Sequence, residues 1–270
     1  EPVRLGEDVF ADGTISEKTR EKALAAFSKF KGLLKSHDVQ HTKAVATSAL
    51  REAKDRDAFI LQVKKESGIE IDLIDGIQEG KYIFSAVSHR VDLNDKSALL
   101  IDIGGGSVEL TLADHGKPKH TQSFKLGTVR MLRLLNEKKM KERQCKELIE
   151  SQMGPVRDFL KLAMRDVHPD VAIGTGGNFE CLGKLRVALL HRSSIFSMTR
   201  PELAKLSDHL LKMSPRDRIH VLRLRPDRAD VVVPAAELTC AIMETAGIDL
   251  LQIPYVGLRD GILAELGARL

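Results

Sequence analysis

The sequence contains no tryptophan, few other aromatic residues (4% in all) and only three cysteines. Scarce aromatics leave few platforms on which bases can stack, so we expect no specific nucleic-acid binding. Cys145, Cys181 and Cys240 are odd in number and lack metal-ligand spacing, so we expect reduced thiols. No apolar run approaches the roughly 20 residues that span a bilayer, and no secretory signal opens the chain. We therefore expect a cytoplasmic protein with no membrane partner.

Strong charge of either sign is also lacking. The 270 residues include 42 Lys and Arg against 38 Asp and Glu, which gives a formal net charge of +4. This balance does not identify a nucleic-acid binder, but it is compatible with an anionic substrate. Two basic clusters, at residues 138–146 and 216–228, are either solvated faces or guides for a polyanion. Walker-type, zinc-type and nucleophile-elbow motifs are absent from the sequence.

The most informative stretch is residues 99–112, LLIDIGGGSVELTL. An apolar run ending at Asp102, three glycines and a resumed alternation that includes Glu109 predict a strand, a tight turn and a second strand. The turn leaves room for backbone N–H groups to face an anion. The candidate phosphate-binding residues of this turn are Gly104, Gly105, Gly106 and Ser107. An ordinary hairpin is the alternative, whereas a dinucleotide fold is disfavoured because no helix follows the glycines directly.

A second glycine-rich loop lies between a predicted strand at 171–173 and a predicted helix at 179–190. Loops in this position present helix N-terminal amides to anions. The candidate phosphate-binding residues here are Gly174, Thr175, Gly176, Gly177 and Asn178. Alone this loop is a weak signal, but together with the first it indicates phosphate groups held from two sides.

Two charged residues of the N-terminal part are further candidates. Arg51 follows a predicted strand at 43–47, and it is either an anion ligand at a strand-to-helix junction or a solvated helix charge. Glu79 lies in the first turn of a helix predicted to end near Val91, where a glutamate is often only a favourable partner of the helix dipole. Both alternatives stay open at this point.

The remaining pattern is mixed. We expect a strand or extended arm over residues 1–15, a helix of about five turns after Ser16, and one long helix running from the basic cluster at 138–146 to about Arg165. The C-terminal part is predicted to be mostly helical, with a last short strand at 250–254. We expect domain I at residues 1–95, domain II at 96–256, and a terminal helix at 257–270 that returns to domain I.

Six segments in order resemble the exopolyphosphatase/guanosine pentaphosphate phosphohydrolase family. They are ATSALREA (46–53), DGIQEGKYIF (75–84), LLIDIGGGSVEL (99–110), GTGGN (174–178), RPDRADVVVPA (225–235) and GLRDG (257–261). The resemblance implies an α/β, actin-like (ribonuclease-H-like) fold of two domains, with an active site in the cleft between them.

The resemblance also implies roles. Glu79 matches the catalytic glutamate that activates water, Glu109 matches a second catalytic acid, and Asp102 matches the aspartate associated with Mg²⁺. Arg51 and the two glycine loops match phosphate-binding positions. The implied reaction is hydrolysis of the terminal phosphoanhydride of inorganic polyphosphate or guanosine pentaphosphate, by a homodimer. A non-catalytic protein that binds or senses these phosphates is the alternative, and an actin-like ATPase or sugar kinase is disfavoured.

Family members begin with a strand that ends in an Asp-x-Gly-Ser-Asn type phosphate loop. No such loop precedes residue 43 in this sequence. We therefore expect domain I to be incomplete at its N-terminal side.

Overall fold

The structure, a computed structural model, describes residues 1–268. Its contacts divide the chain into two compact units, residues 1–76 and a second unit that begins at residue 77. The boundary that we predict near residue 95, and the return of the terminal helix to domain I, stay predictions. No helix among the described residues is both long and apolar enough to cross a membrane.

The first unit combines four helices with a small parallel sheet. Its elements are α1 Leu5–Asp12, α2 Glu17–Ser36, β1 Ala44–Ala46, α3 Ser48–Glu52, α4 Arg56–Ser67 and β2 Ile71–Leu73. Strand β1 pairs with β2, and a core that includes Val9, Leu50 and Phe59 joins the helices. The N-cap of α2 is Ser16, whose side chain accepts from the Thr19 N–H.

The prediction of a strand or extended arm over residues 1–15 is wrong, because α1 occupies most of this range. Glu7 and Asp8 lie in the first turn, where acidic side chains favour the helix dipole. Val9 is buried, and Gly13 ends the helix with φ 76°. The helix is therefore held by burial and capping that a short apolar/polar pattern does not reveal.

The second unit is built on a six-stranded sheet. Its elements are α5 Gly76–Ser88 (starting at the unit boundary), β3 Ser97–Ile103, β4 Val108–Asp114, β5 Lys117–Phe124, α6 Thr128–Glu137, a 3₁₀ turn Glu142–Gln144, α7 Cys145–Gln152, α8 Gly154–Ala163, β6 Val171–Thr175, α9 Gly177–Leu190, β7 Ser197–Thr199, α10 Arg200–Leu211, α11 Pro215–His220, α12 Pro226–Ala229, α13 Val232–Ala246, β8 Leu250–Gln252 and α14 Leu258–Ala268.

The strand order is β5-β4-β3-β6-β8-β7. Strand β4 is antiparallel to β3 and β5, whereas β6 is parallel to both β3 and β8. This is the ribonuclease-H-like arrangement, with β7 added at one edge. The α/β class predicted above is confirmed.

Alternate side chains of β3 point to opposite faces of the sheet and pack into two different hydrophobic cores. Leu99, Ile101 and Ile103 face the larger core, which includes residues of α6 to α10 and α13. Ala98 and Leu100 face a smaller core with Ile83 and Val87 of α5. Asp102 follows the alternation of the second set, so it lies at the end of the face that α5 covers.

The single long helix predicted between residues 138 and 165 is wrong. A 3₁₀ turn covers Glu142–Gln144, and α7 ends at Gln152 before α8 begins at Gly154. Pro155 lies in the first turn of α8, where its missing N–H is tolerated, whereas inside a continuous helix it would remove a hydrogen bond.

Candidate active site

A row of polar residues crosses the sheet where β3 ends. Asp102 pairs with Glu109 on β4 and with Thr175 on β6, and Glu109 pairs with Ser123 on β5. Residues paired across strands share a face of the sheet, so these four side chains lie side by side. The hairpin register therefore brings two of the predicted acidic residues together.

Helix α5 brings the third acid to this row. One carboxylate oxygen each of Glu79, Asp102 and Glu109 lies within 4.8 Å of the others. Glu79 and Glu109 are buried, and Asp102 is half-buried. Gly80 permits the close approach, because a Cβ there would lie 2.5 Å from Thr121 Cγ2 and 3.2 Å from Thr111 Oγ1.

The acidic cluster has an unusual electrostatic state. Burial and the neighbouring Glu109 carboxylate raise the pKa of Asp102 to about 7, although a hydrogen bond from Thr175 acts in the opposite direction. Thr175 Oγ1 donates to Asp102 Oδ1 at 2.8 Å, and Ser123 Oγ donates to Glu109 Oε1 at 2.7 Å. Hydroxyl donors thus hold the orientation of both strand acids.

This cluster fits a hard divalent cation. Three carboxylates offer only oxygen ligands, which Mg²⁺ prefers, and three ligands would leave coordination positions for the water molecules that Mg²⁺ usually retains. A cation would also offset the mutual repulsion of the three acids. The three carboxylates therefore fit Mg²⁺, the cofactor that the resemblance implies.

The first glycine loop follows Asp102 and rests on the start of α6. The N–H groups of Thr128 and Val129 donate to the carbonyl oxygens of Gly104 and Gly105 at 3.0 and 2.9 Å, and Arg130 Nε donates to Gly106 O at 3.0 Å. Within the described residues, the N–H groups of Gly105, Gly106 and Ser107 donate no hydrogen bond. Helix α6 thus holds the loop carbonyls, and N–H donors are left for an anion.

The second glycine loop is tighter than predicted. Strand β6 extends through Thr175 and α9 begins at Gly177, so only Gly176 lies between them. Gly176 has φ 83°, and a Cβ on it would lie 3.0 Å from Asp102 Oδ1. Gly174 is buried within β6, where a Cβ would lie 2.1 Å from the Phe179 ring.

Asn178 connects the second glycine loop to the end of β3, directly before the first glycine loop. Its Nδ2 donates to Ile103 O at 2.7 Å, and its Oδ1 accepts from Arg228 Nη1 at 3.0 Å. The Arg228 guanidinium also lies 2.6 Å from the position of a Cβ on Gly177. Sequence reasoning did not single out Arg228 as a site residue; the available signal was its place in the motif RPDRADVVVPA.

Arg51 lies on α3 in the first unit. Its Nη1 donates to the carbonyl oxygen of Ile74, which follows β2. The structure thus unites Glu79, Asp102, Glu109 and both glycine loops within one unit. A contact of Arg51 with phosphate stays a prediction.

The fold and site define a ribonuclease-H-like α/β protein with an acidic centre flanked by two glycine loops. The model of the Ppx/GppA phosphatase family matches residues 1–269, so the chain belongs to that family. The prediction of an enzyme of this type is confirmed.

Individual relatives agree with this assignment. Exopolyphosphatase 1 of Mycobacterium leprae is 26% identical over 265 residues, which cover 97% of this chain and 78% of that protein. A guanosine-5'-triphosphate,3'-diphosphate pyrophosphatase of Vibrio parahaemolyticus is 24% identical over 98% of this chain and 52% of its own length.

Solved structures show the same fold. The crystal structure of an exopolyphosphatase from Cytophaga hutchinsonii matches with a TM-score of 0.86 and 26% identity, over 98% of this chain and 86% of that one. The Aquifex aeolicus member of the Ppx/GppA family matches with a TM-score of 0.74 and 24% identity, over 99% and 87%.

Proposed function

We propose that this protein hydrolyses the terminal phosphoanhydride bond of inorganic polyphosphate or guanosine pentaphosphate with the help of Mg²⁺. The observation that supports this most is the convergence of Glu79, Asp102 and Glu109 beside two glycine loops. Such hydrolysis needs neutralisation of phosphoryl charge and a positioned water, and it needs little covalent chemistry from the protein.

Asp102 and Glu109 would hold the cation, which supplies charge neutralisation on the phosphoryl oxygens when bound. Glu79 acts as the general base and accepts a proton from the attacking water. The N–H groups of Gly105, Gly106 and Ser107 and the start of α9 bind phosphate oxygens, and burial of the acids limits competition from bulk water. Arg51 binds the phosphate chain in this proposal.

Phosphate release from both substrates tests the proposal. We expect release with Mg²⁺, its loss after chelation, and a drop of at least about 100-fold in the Asp102→Asn variant. Glu66→Gln on the exposed surface of α4 is a matched control that we expect to keep full activity. Tight substrate binding with no release by the wild-type protein would contradict hydrolysis and favour the phosphate-sensing alternative.

The homodimer that the resemblance implies belongs to this proposal. Light scattering of the purified protein checks it, and a monomer at all concentrations would contradict it.

A further inference from the structure

The motif GLRDG at residues 257–261 lies outside the acidic cluster and the two glycine loops. Its first residue ends the connection from β8, and α14 begins at Leu258. Asp260 Oδ2 accepts a hydrogen bond from the Gly257 N–H at 2.9 Å, so the third residue of the helix caps its N-terminus. The motif therefore fixes the point at which α14 begins.

The start of the motif contacts the second glycine loop. The Gly176 N–H donates to the carbonyl oxygen of Val256 at 3.0 Å. A Cβ on Gly257 would lie 3.4 Å from Gly176 Cα, and a Cβ on Gly176 would lie 3.0 Å from Asp102 Oδ1. The segment that leads into α14 is therefore anchored beside Asp102.

The end of the motif contacts α5, the helix that carries Glu79. A Cβ on Gly261 would lie 1.9 Å from the carbonyl oxygen of Tyr82 and 2.6 Å from its carbonyl carbon, so a glycine is needed for this close approach of α14 to α5. Tyr82 follows Glu79 by three residues and so lies about one turn further along α5. The Tyr82 hydroxyl also donates to Glu265 Oε1 of α14 at 3.3 Å. A backbone contact and a hydrogen bond therefore hold α5 against α14.

The other side of α5 rests on the sheet. Gly80, Ile83 and Val87 share one face of the helix, and this face packs on the strands. Tyr82 lies on the opposite side, where it is buried against α14. Helix α5 is thus held between the sheet and α14, and a shift at either contact moves the Glu79 carboxylate.

We propose that α14 is a positioning element for the general base: its contact at Gly261 fixes the place of Glu79 relative to Asp102. Gly261 is a positioning residue, because it acts through the backbone of α5. A displacement of about 1 Å at a reacting group can lower a rate by about 100-fold, so the attack of water is sensitive to this contact. The inference rests on the proposed function of Glu79 and adds a residue on which the rate of hydrolysis depends.

Gly261→Ala tests the inference directly. An ordinary contact of a Cβ lies at 3.4 Å or more, so alanine must move α5 and α14 apart by about 1.5 Å. We expect kcat for phosphate release from polyphosphate to fall about 50-fold. We expect KM to change less than about twofold, because the first glycine loop is held by α6 and not by α14. An unchanged kcat would overturn the inference.

The same substitution in a Glu79→Gln background separates positioning from a general loss of structure. If Gly261 acts through Glu79, we expect the added substitution to lower the single-turnover rate less than about twofold, since the displaced group no longer accepts a proton. A further drop as large as that in the wild-type background would show general structural damage and would overturn the inference.

Gly267→Ala is the matched control on the same helix. Gly267 is exposed near the end of α14, and a Cβ there would meet nothing within 4 Å. We expect the kcat and KM of the wild type for this variant. A loss of kcat equal to that of Gly261→Ala would overturn the inference.

Tyr82→Phe is a second variant, which keeps the buried ring and loses the hydrogen bond to Glu265. We expect kcat to fall about threefold with KM unchanged, whereas Glu265→Gln, which keeps an acceptor oxygen, should retain the wild-type kcat. If Gly261→Ala does not fold, an unchanged kcat in Tyr82→Phe would overturn the inference. Failure of the proposed function differs, since the wild type would then release no phosphate.

Discussion

The two glycine loops have similar compositions, but the structure needs their glycines for different reasons. Gly104 and Gly105 do not have a positive φ, and space for their loop is kept by Gly127, the N-cap residue of α6. In the second loop, Gly176 itself has φ 83° and lies against Asp102. The first loop therefore depends on close packing with another element, whereas the second depends on its own backbone conformation.

We expect the largest loss of stability from Gly127→Ala. A Cβ at this position would lie 2.2 Å from Gly105 C and Gly106 N, which are backbone atoms that cannot move aside cheaply. We expect the free energy of unfolding to fall by about 3 kcal/mol and phosphate release to be lost with it. Urea denaturation measures the first change.

The matched control is Gly32→Ala within α2, where a Cβ would meet nothing within 4 Å. We expect no loss of stability there, because alanine favours a helix interior more than glycine does. Equal destabilisation by the two substitutions would refute the packing role of Gly127.

Asp102→Asn changes the residue that lies next to both glycine loops. Because the folded-state pKa of Asp102 is raised to about 7, its ionisation opposes folding as the pH rises above the unfolded-state pKa. With the metal chelated, we expect the variant to be more stable than the wild type at pH 8. The raised pKa corresponds to about 4 kcal/mol, and solvent around the half-buried Asp102 screens part of this, so we expect a difference of about 2 kcal/mol.

This gain should shrink as the pH falls through the folded-state pKa of about 7 and vanish below the unfolded-state value. Thr175 can donate to the amide oxygen of the variant as it does to the carboxylate, so the hydrogen bond is kept. Urea denaturation at several pH values provides the measurement. A variant less stable than the wild type at pH 8 would contradict the charge state that we assign.

Gly176→Ala tests the second loop. We expect a loss of about 1.5 kcal/mol from backbone strain, together with weaker phosphate release because the new Cβ crowds Asp102. Gly247→Ala is the control, since Gly247 has φ 67° but no neighbour within 4 Å of a Cβ. It should lose stability and keep activity. If both variants kept full activity, proximity to Asp102 would have no catalytic importance.

We expect the smallest loss of stability from Thr175→Val. It removes the hydrogen bond that Thr175 Oγ1 donates to Asp102 Oδ1 at 2.8 Å. We expect a loss of about 1 kcal/mol at pH 8 and a further rise in the pKa of Asp102, because that bond favours the carboxylate. The pH dependence of unfolding should therefore move to higher pH, and an unchanged dependence would argue against this role.

Local pattern was sufficient to predict the parts of the site that lie close in sequence. The period-two alternation around the three glycines predicted the hairpin, and pairing of Asp102 with Glu109 follows from it. The glycine-rich sequence after residue 173 predicted a strand-to-helix junction. Its length was misjudged, because Gly174 and Thr175 belong to β6.

Contacts between distant segments were not predictable in this way. Nothing in the local sequence indicates that Gly127 lies under the first loop or that Arg228 reaches Asn178. The Arg218–Glu142 pair likewise depends on how the helices of the second unit pack. These contacts are set by tertiary structure, which local periodicity does not encode.

We propose above that Glu79 activates water at a phosphoanhydride hydrolysis site. Phosphate release by Glu79→Gln, measured in a single turnover alongside polyphosphate binding, tests it most directly. We expect the rate of release to fall by about 1,000-fold with binding and folding retained, because the amide cannot accept the proton of the attacking water. Release at the wild-type rate would contradict it.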